Sequence, residues 1–121
     1  MAGENSYLES DGKSVAVTLS ATVDKNQVAY VEGWLGIANQ DGVSGDVITL
    51  SVDGREYQFT VPSGLSVSKG ATVYVDVTDL TGHIPDDTAY YTASGANRVA
   101  LFKATADKDG NQVVTGVLIG G

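Results

Sequence analysis

The sequence predicts an all-β fold: a small single domain of about eight short strands, β-barrel or sandwich-like, behind a polar N-terminal arm. Three observations carry that expectation. The first is alternation. Ile48, Leu50 and Val52 fall on one face of a run whose other face is Thr49, Ser51 and Asp53. Tyr57, Phe59 and Val61 alternate with Gln58 and Thr60, and Val73, Val75 and Val77 with Thr72, Tyr74 and Asp76. Successive side chains of a strand point to opposite faces, so a half-buried strand needs this spacing. The second is punctuation: 15 glycines against two prolines cut the chain into tight turns. The third is composition, since Val, Thr and Tyr favour strands and no helix-period stripe stands out.

In chain order, residues 1–13 read as a flexible arm and residues 14–121 as the β-domain. Tyr7 and Leu8 are the arm's only sizeable apolar residues. They either dock on a neighbouring subunit or belong to a frayed end. Lys13 to Ser20 is the first strand, with Val15, Val17 and Leu19 on one face. Asp24-Lys25-Asn26 is a turn, and Gln27 to Val31 is a strand that Glu32-Gly33 breaks. Trp34 to Ala38 continues it, and a glycine in such a run marks a bulge or a close backbone approach, which suits a barrel corner at Gly33 or Gly36. Trp34, the only tryptophan, packs in the core, lids a barrel end or serves as a binding platform. After a loop from Asn39 to Asp46, Val47 to Asp53 and Glu56 to Val61 read as a hairpin with Asp53-Gly54 at its tip. Pro62 ends that strand because proline has no N–H for a ladder.

Ser63 to Gly70 is a connector anchored by Leu65 and Val67, and Ala71 to Val77 is the next strand. Thr78 to Ala96 is the least regular segment, long for a pure loop, and is expected to hold a short strand at Ala89 to Thr92. Asn97 to Lys103 carries Val99 and Leu101 on one face and Phe102 on the other, which implies burial on both sides. Asp107 to Asn111 is a turn. Gln112 to Ile119 is the last strand, with Val113, Val117 and Ile119 on one face.

Composition narrows function. The 121 residues suit one domain able to bury a core without staples. There is no cysteine, hence no disulfide framework and no thiolate chemistry. No apolar run approaches the roughly 18 residues of a membrane span. The start of the chain, with Glu4, Glu9 and Asp11, lacks the basic and apolar regions of a signal peptide. Seven basic against 15 acidic residues give a net charge of −8. With its basic residues scattered singly, the chain is not expected to bind nucleic acid, which relies on Lys and Arg neutralising phosphates.

No motif points to catalysis or to a cofactor. The lone His83 sits in a loop, and no Gly-x-Ser-x-Gly surrounds any serine. The segment Gly64 to Gly70 lacks the residues of a phosphate loop. Asp107-Lys108-Asp109-Gly110-Asn111 has its glycine fourth and Leu118 where a calcium loop needs glutamate, so it reads as a hairpin turn. Asp86-Asp87 and Asp76/Asp79 read as solvated loop charges.

The order of the central motifs resembles the small capsid cement, or head decoration, proteins of tailed bacteriophages. The residues that carry the resemblance are Val31-Glu-Gly-Trp-Leu-Gly-Ile-Ala38, Gly42 with Gly45-Asp46, Leu50-Ser-Val-Asp-Gly54 and Tyr57-Gln-Phe-Thr-Val-Pro62. Gly70-Ala-Thr-Val-Tyr-Val-Asp76 is the most specific of them, and Ala96 to Ala100 and Val117 to Ile119 complete the series. The resemblance covers residues 14 to 120. The polar stretch from Thr81 to Ser94 departs from the pattern by its length.

The resemblance implies a non-enzymatic β-protein without cofactors. Such a protein is assembled in the host cytoplasm and sits on the outer surface of the phage head as a homotrimer on the major capsid protein. Candidate capsid or subunit contacts are Tyr7, Leu8, Trp34, Tyr90 and Tyr91. An alternative from another class is a carbohydrate- or cell-surface-binding β module of a virion, motivated by Tyr90-Tyr91 as an exposed aromatic cluster near Asp86-Asp87.

Overall fold

The structure, a computed structural model, describes residues 13–78 and 90–119. These residues form nine strands: β1 (Ser14–Thr18), β2 (Val28–Val31), β3 (Trp34–Ala38), β4 (Val47–Ser51), β5 (Asp53–Thr60), β6 (Thr72–Asp76), β7 (Tyr90–Tyr91), β8 (Arg98–Ala104) and β9 (Val113–Ile119). They make two antiparallel sheets, a four-stranded one in the order β1-β4-β3-β2 and a five-stranded one in the order β5-β9-β8-β6-β7. Of the barrel and the sandwich-like arrangement expected, the described residues show two open sheets: no pairing among them closes either sheet, and each keeps two edge strands.

Glu32 and Gly33 are the whole connection between β2 and β3, since Val31 pairs with Trp34. Their φ values, 52° and 84°, are both positive. A two-residue turn whose twist matches its strands requires this. The break expected here is therefore a hairpin tip rather than a barrel corner. Gly36 does mark a close approach: a Cβ there would lie 2.3 Å from the Ser51 carbonyl oxygen.

The hairpin expected at Asp53-Gly54 is not formed. β4 pairs with β1 and β3, whereas β5 pairs with β9 in the other sheet. The chain crosses between sheets at Val52 and continues in the same direction. Gly54 (φ 83°) lies at a register shift between Asp53 and Glu56, where β5 bulges against β9. A bulge and a hairpin tip both call for glycine at positive φ, so the dipeptide alone does not separate them. A second bulge explains β8. Val73 pairs with Phe102 and Tyr74 with Ala100, which leaves Leu101 as an extra residue. Leu101 and Phe102, consecutive in sequence, both enter one core. On β9 the buried face is Val114, Gly116 and Leu118, while Val113 and Val117 are half-buried and Ile119 is exposed.

Two hydrophobic cores result. One is aliphatic: Val17, Leu19, Val23, Ala29, Val31, Ala38, Ile48, Leu50 and Val52. The other carries the aromatics, with Phe59, Phe102 and Tyr90 among Leu35, Ile37, Val61, Val67, Val73, Val75, Leu101, Ala104, Val114 and Leu118. The β2–β3 hairpin is the partition between them. Ala29, Val31 and Ala38 face the first core, and Leu35 and Ile37 the second, with Val28 and Tyr30 packed beside them. Both faces of the hairpin are covered, which is why Leu35 to Ala38 form an unbroken buried run. Full burial of each large aliphatic side chain contributes about 1.5–3 kcal/mol.

One fully buried polar side chain among the described residues, that of Ser51, needed partners. Ser51 has no exposure, and its hydroxyl donates to Asn39 Oδ1 at 2.8 Å. The Asn39 side-chain amide donates to Thr49 Oγ1 at 3.2 Å. The Asn39 backbone N–H donates to the Thr49 carbonyl at 3.0 Å. An unpaired hydroxyl there would cost about 1–3 kcal/mol.

Candidate functional site

Of the polar groups that invited a chemical reading, those of Asp107 to Asn111 hold loops together. The turn from Thr105 to Gln112 joins β8 to β9 and packs on the connector after β5. Asp109 Oδ1 accepts the backbone N–H groups of Asn111 (2.8 Å) and Val113 (3.0 Å). Asp107 Oδ1 accepts the Lys69 N–H at 2.8 Å. The Lys108 ammonium donates to the carbonyls of Pro62 (3.4 Å), Ser63 (3.1 Å) and Leu65, and the Lys108 N–H donates to Val67 O at 2.9 Å. Its three donors thus meet three carbonyls of one loop. The segment is a clamp between two loops. Among the described residues no group of three or more His, Asp or Glu side chains is placed to hold a metal ion.

Tyr7 and Leu8, with the arm they belong to, lie outside the described residues, as do Asp79, His83, Asp86, Asp87 and Ala89. Trp34 opens β3 beside the Glu32-Gly33 turn and is 41% exposed, so it is not the core residue that its size suggested. The pair Tyr90-Tyr91 is not an exposed cluster. Alternation on β7 sends the two rings to opposite faces. Tyr90 is buried in the aromatic core. Tyr91 is half-buried opposite Tyr74, and the Arg98 guanidinium lies 3.8 Å from its ring centroid. Arg98 also donates to the Ala93 carbonyl at 3.1 Å. Arg98 thus occupies one face of the Tyr91 ring, where a sugar would otherwise stack. Trp34 and Tyr91 stand on different sheets.

Beside Arg98, Asp76 Oδ1 accepts the Thr78 N–H at 2.9 Å. Hydrogen bonds from the Thr78 side chain and backbone hold the Asp76 carboxyl below the ordinary aspartate range, and the Arg98 charge adds to this.

Among the described residues three exposed large apolar side chains escaped the sequence reading: Val43, Val47 and Ile119. For Val47 a signal existed. With Ile48, Leu50 and Val52 inward, alternation turns Val47 outward with Thr49. Val43 lies in a loop, where no period applies.

The chain matches the family model described as phage cement protein over residues 9–119. It therefore belongs to the phage cement protein family. No curated protein and no solved structure matches it. Cement proteins are structural and non-catalytic, and this chain is a phage structural protein, not an enzyme.

Proposed function

We propose that this phage cement protein decorates the outer surface of the phage head, binding the major capsid protein there and stabilising the capsid lattice after assembly in the host cytoplasm. The observation that carries this reading is the family match over residues 9–119. The fold is suited to it. Two small cores, a tight hairpin turn and a lysine clamp make a rigid body. Such a body supplies shape to a partner at little ordering cost.

On this reading the copies act as trimers. Trp34, the exposed aromatic among the described residues, is available for contact between subunits. The arm, residues 1–13 with Tyr7 and Leu8, orders against the capsid by adding a strand to a sheet edge. Several weak contacts per trimer, made at once, retain it far better than any one of them.

The test is cosedimentation of the purified protein with expanded, undecorated heads. Saturable binding at a fixed ratio to the major capsid protein is expected. A folded protein that stays in the supernatant at all concentrations overturns the reading. Removing residues 2–12 is expected to weaken retention; unchanged retention removes the role given to the arm. A monomer by light scattering, both free and bound, removes the trimer.

A further inference from the structure

One pole of the molecule is built by two loops, residues 19–27 and 39–46, that run side by side. Val23 and Gly42 exchange backbone hydrogen bonds, each 2.9 Å. Val43 and Val47 project from this pole at 55% and 63% exposure, the highest among the large apolar side chains of the described residues. They flank a single turn. The Val43 N–H donates to Asp46 Oδ2 at 2.9 Å, and the Asp46 N–H donates to the Val43 carbonyl at 3.0 Å. Gly45 takes φ 94° within it.

The turn is fastened to the end of β1. The Leu19 N–H donates to Asp46 O and the Gly45 N–H to Leu19 O, both at 2.8 Å. Beneath it Gly42 is buried, and a Cβ there would meet Leu19 Cδ1 at 2.6 Å and Ile48 Cγ2 at 2.9 Å. The apolar tip is therefore rigid before any partner arrives. Its surroundings are acidic. Asp24, Asp41 and Asp46 lie on these loops with Lys25 as their one cation. Asp41 Oδ1 braces the second loop against the first by accepting the Lys25 N–H at 2.7 Å.

Exposed valines at a preformed tip have a desolvation gain to offer and little order to lose. A carboxylate rim selects a partner of opposite charge. Resting on the decoration reading above, we infer that this pole is the foot of the protein on the head. Val43 and Val47 seat in an apolar hollow of the capsid's outer surface, and Lys or Arg side chains border that hollow.

The experiment compares wild type, the double variant Val43→Ser/Val47→Ser and the control Ile119→Ser for binding to expanded, undecorated heads at low and high salt. Both valines are exposed, so the double variant is expected to melt within a few degrees of wild type. Its affinity for heads is expected to fall about tenfold or more. Wild-type affinity is expected to fall with salt, because the rim charges are exposed. Ile119→Ser is expected to bind as wild type. Wild-type affinity in the double variant overturns the inference while leaving decoration intact. So does a change of oligomeric state in the double variant by light scattering, which assigns the tip to contact between copies. Wild type failing to bind heads overturns the decoration reading itself, a result distinct from either.

Discussion

The two cores hold the same backbone by different means. In the aliphatic core the strands come close because side chains are missing. Gly36 of β3 lies against the Ser51 carbonyl of β4. In the aromatic core a large ring fills the space a missing side chain leaves. Phe102 stacks on Phe59, with centroids 3.9 Å apart and planes within 1°. A Cβ at Gly116 would lie 2.2 Å from Phe102 Cδ2. Gly36 and Gly116 thus have opposite uses: one admits backbone, the other an aromatic face. The first obstacle cannot be trimmed by mutation, and the second can.

Phe102→Ala is expected to have the largest effect. It empties the centre of the aromatic core and should cost about 3–5 kcal/mol in chemical denaturation. A loss below about 1 kcal/mol would mean that the stack is not central.

The two glycines sharpen the comparison. Gly36→Ala and Gly116→Ala should each destabilise by about 1–3 kcal/mol or more. Pairing Gly116→Ala with Phe102→Leu should recover part of the loss, because a smaller side chain vacates the contact. Pairing Gly36→Ala with Val52→Ala should recover nothing, since the Ser51 carbonyl remains. Double-mutant cycles read the difference as a coupling energy in one half and none in the other. Equal coupling in both would break the distinction.

Lys108→Met tests the clamp at the end of the five-stranded sheet. It keeps the length of the side chain and removes the ammonium that three carbonyls share. A loss of about 1–3 kcal/mol is expected, with faster amide exchange in residues 62–71 and unchanged exchange in β1 to β4.

The smallest expected effect is at Asp76. Its folded carboxyl titrates below the unfolded one. Its contribution is therefore full above the ordinary carboxylate range and is lost as pH falls through the folded value. Asp76→Asn should melt slightly below wild type at neutral pH, and the two should converge on acidification below about pH 4. A gap that persists in acid would assign the effect to packing instead.

Strands were legible where alternation was long. β1, β4, β5 and β6 bury or half-bury the residues their period selects, since one buried face leaves only one register open. What the sequence hid was where the pattern changes phase. Gly54 and Leu101 each insert a residue, and a bulge carries no residue signature of its own apart from a permissive glycine. The same ambiguity misplaced Asp53-Gly54 as a hairpin tip. At β7 the strand is two residues long, too short for a period, so the dipeptide alone did not say that Tyr90 points in and Tyr91 out. The structural role was legible in the order of the central motifs, which the family match over residues 9–119 bears out. The Val43–Val47 tip needed the folded loops, because its rigidity comes from partners at Leu19 and Val23 that lie far along the chain.

The most direct test of the cement role is the heat stability of DNA-filled heads with and without the protein, followed by release of DNA to a nuclease or dye. Decorated heads are expected to hold their DNA to a higher temperature, with the gain saturating at the same ratio as binding. Decorated and bare heads releasing DNA at the same temperature, with the protein demonstrably bound, would contradict the account.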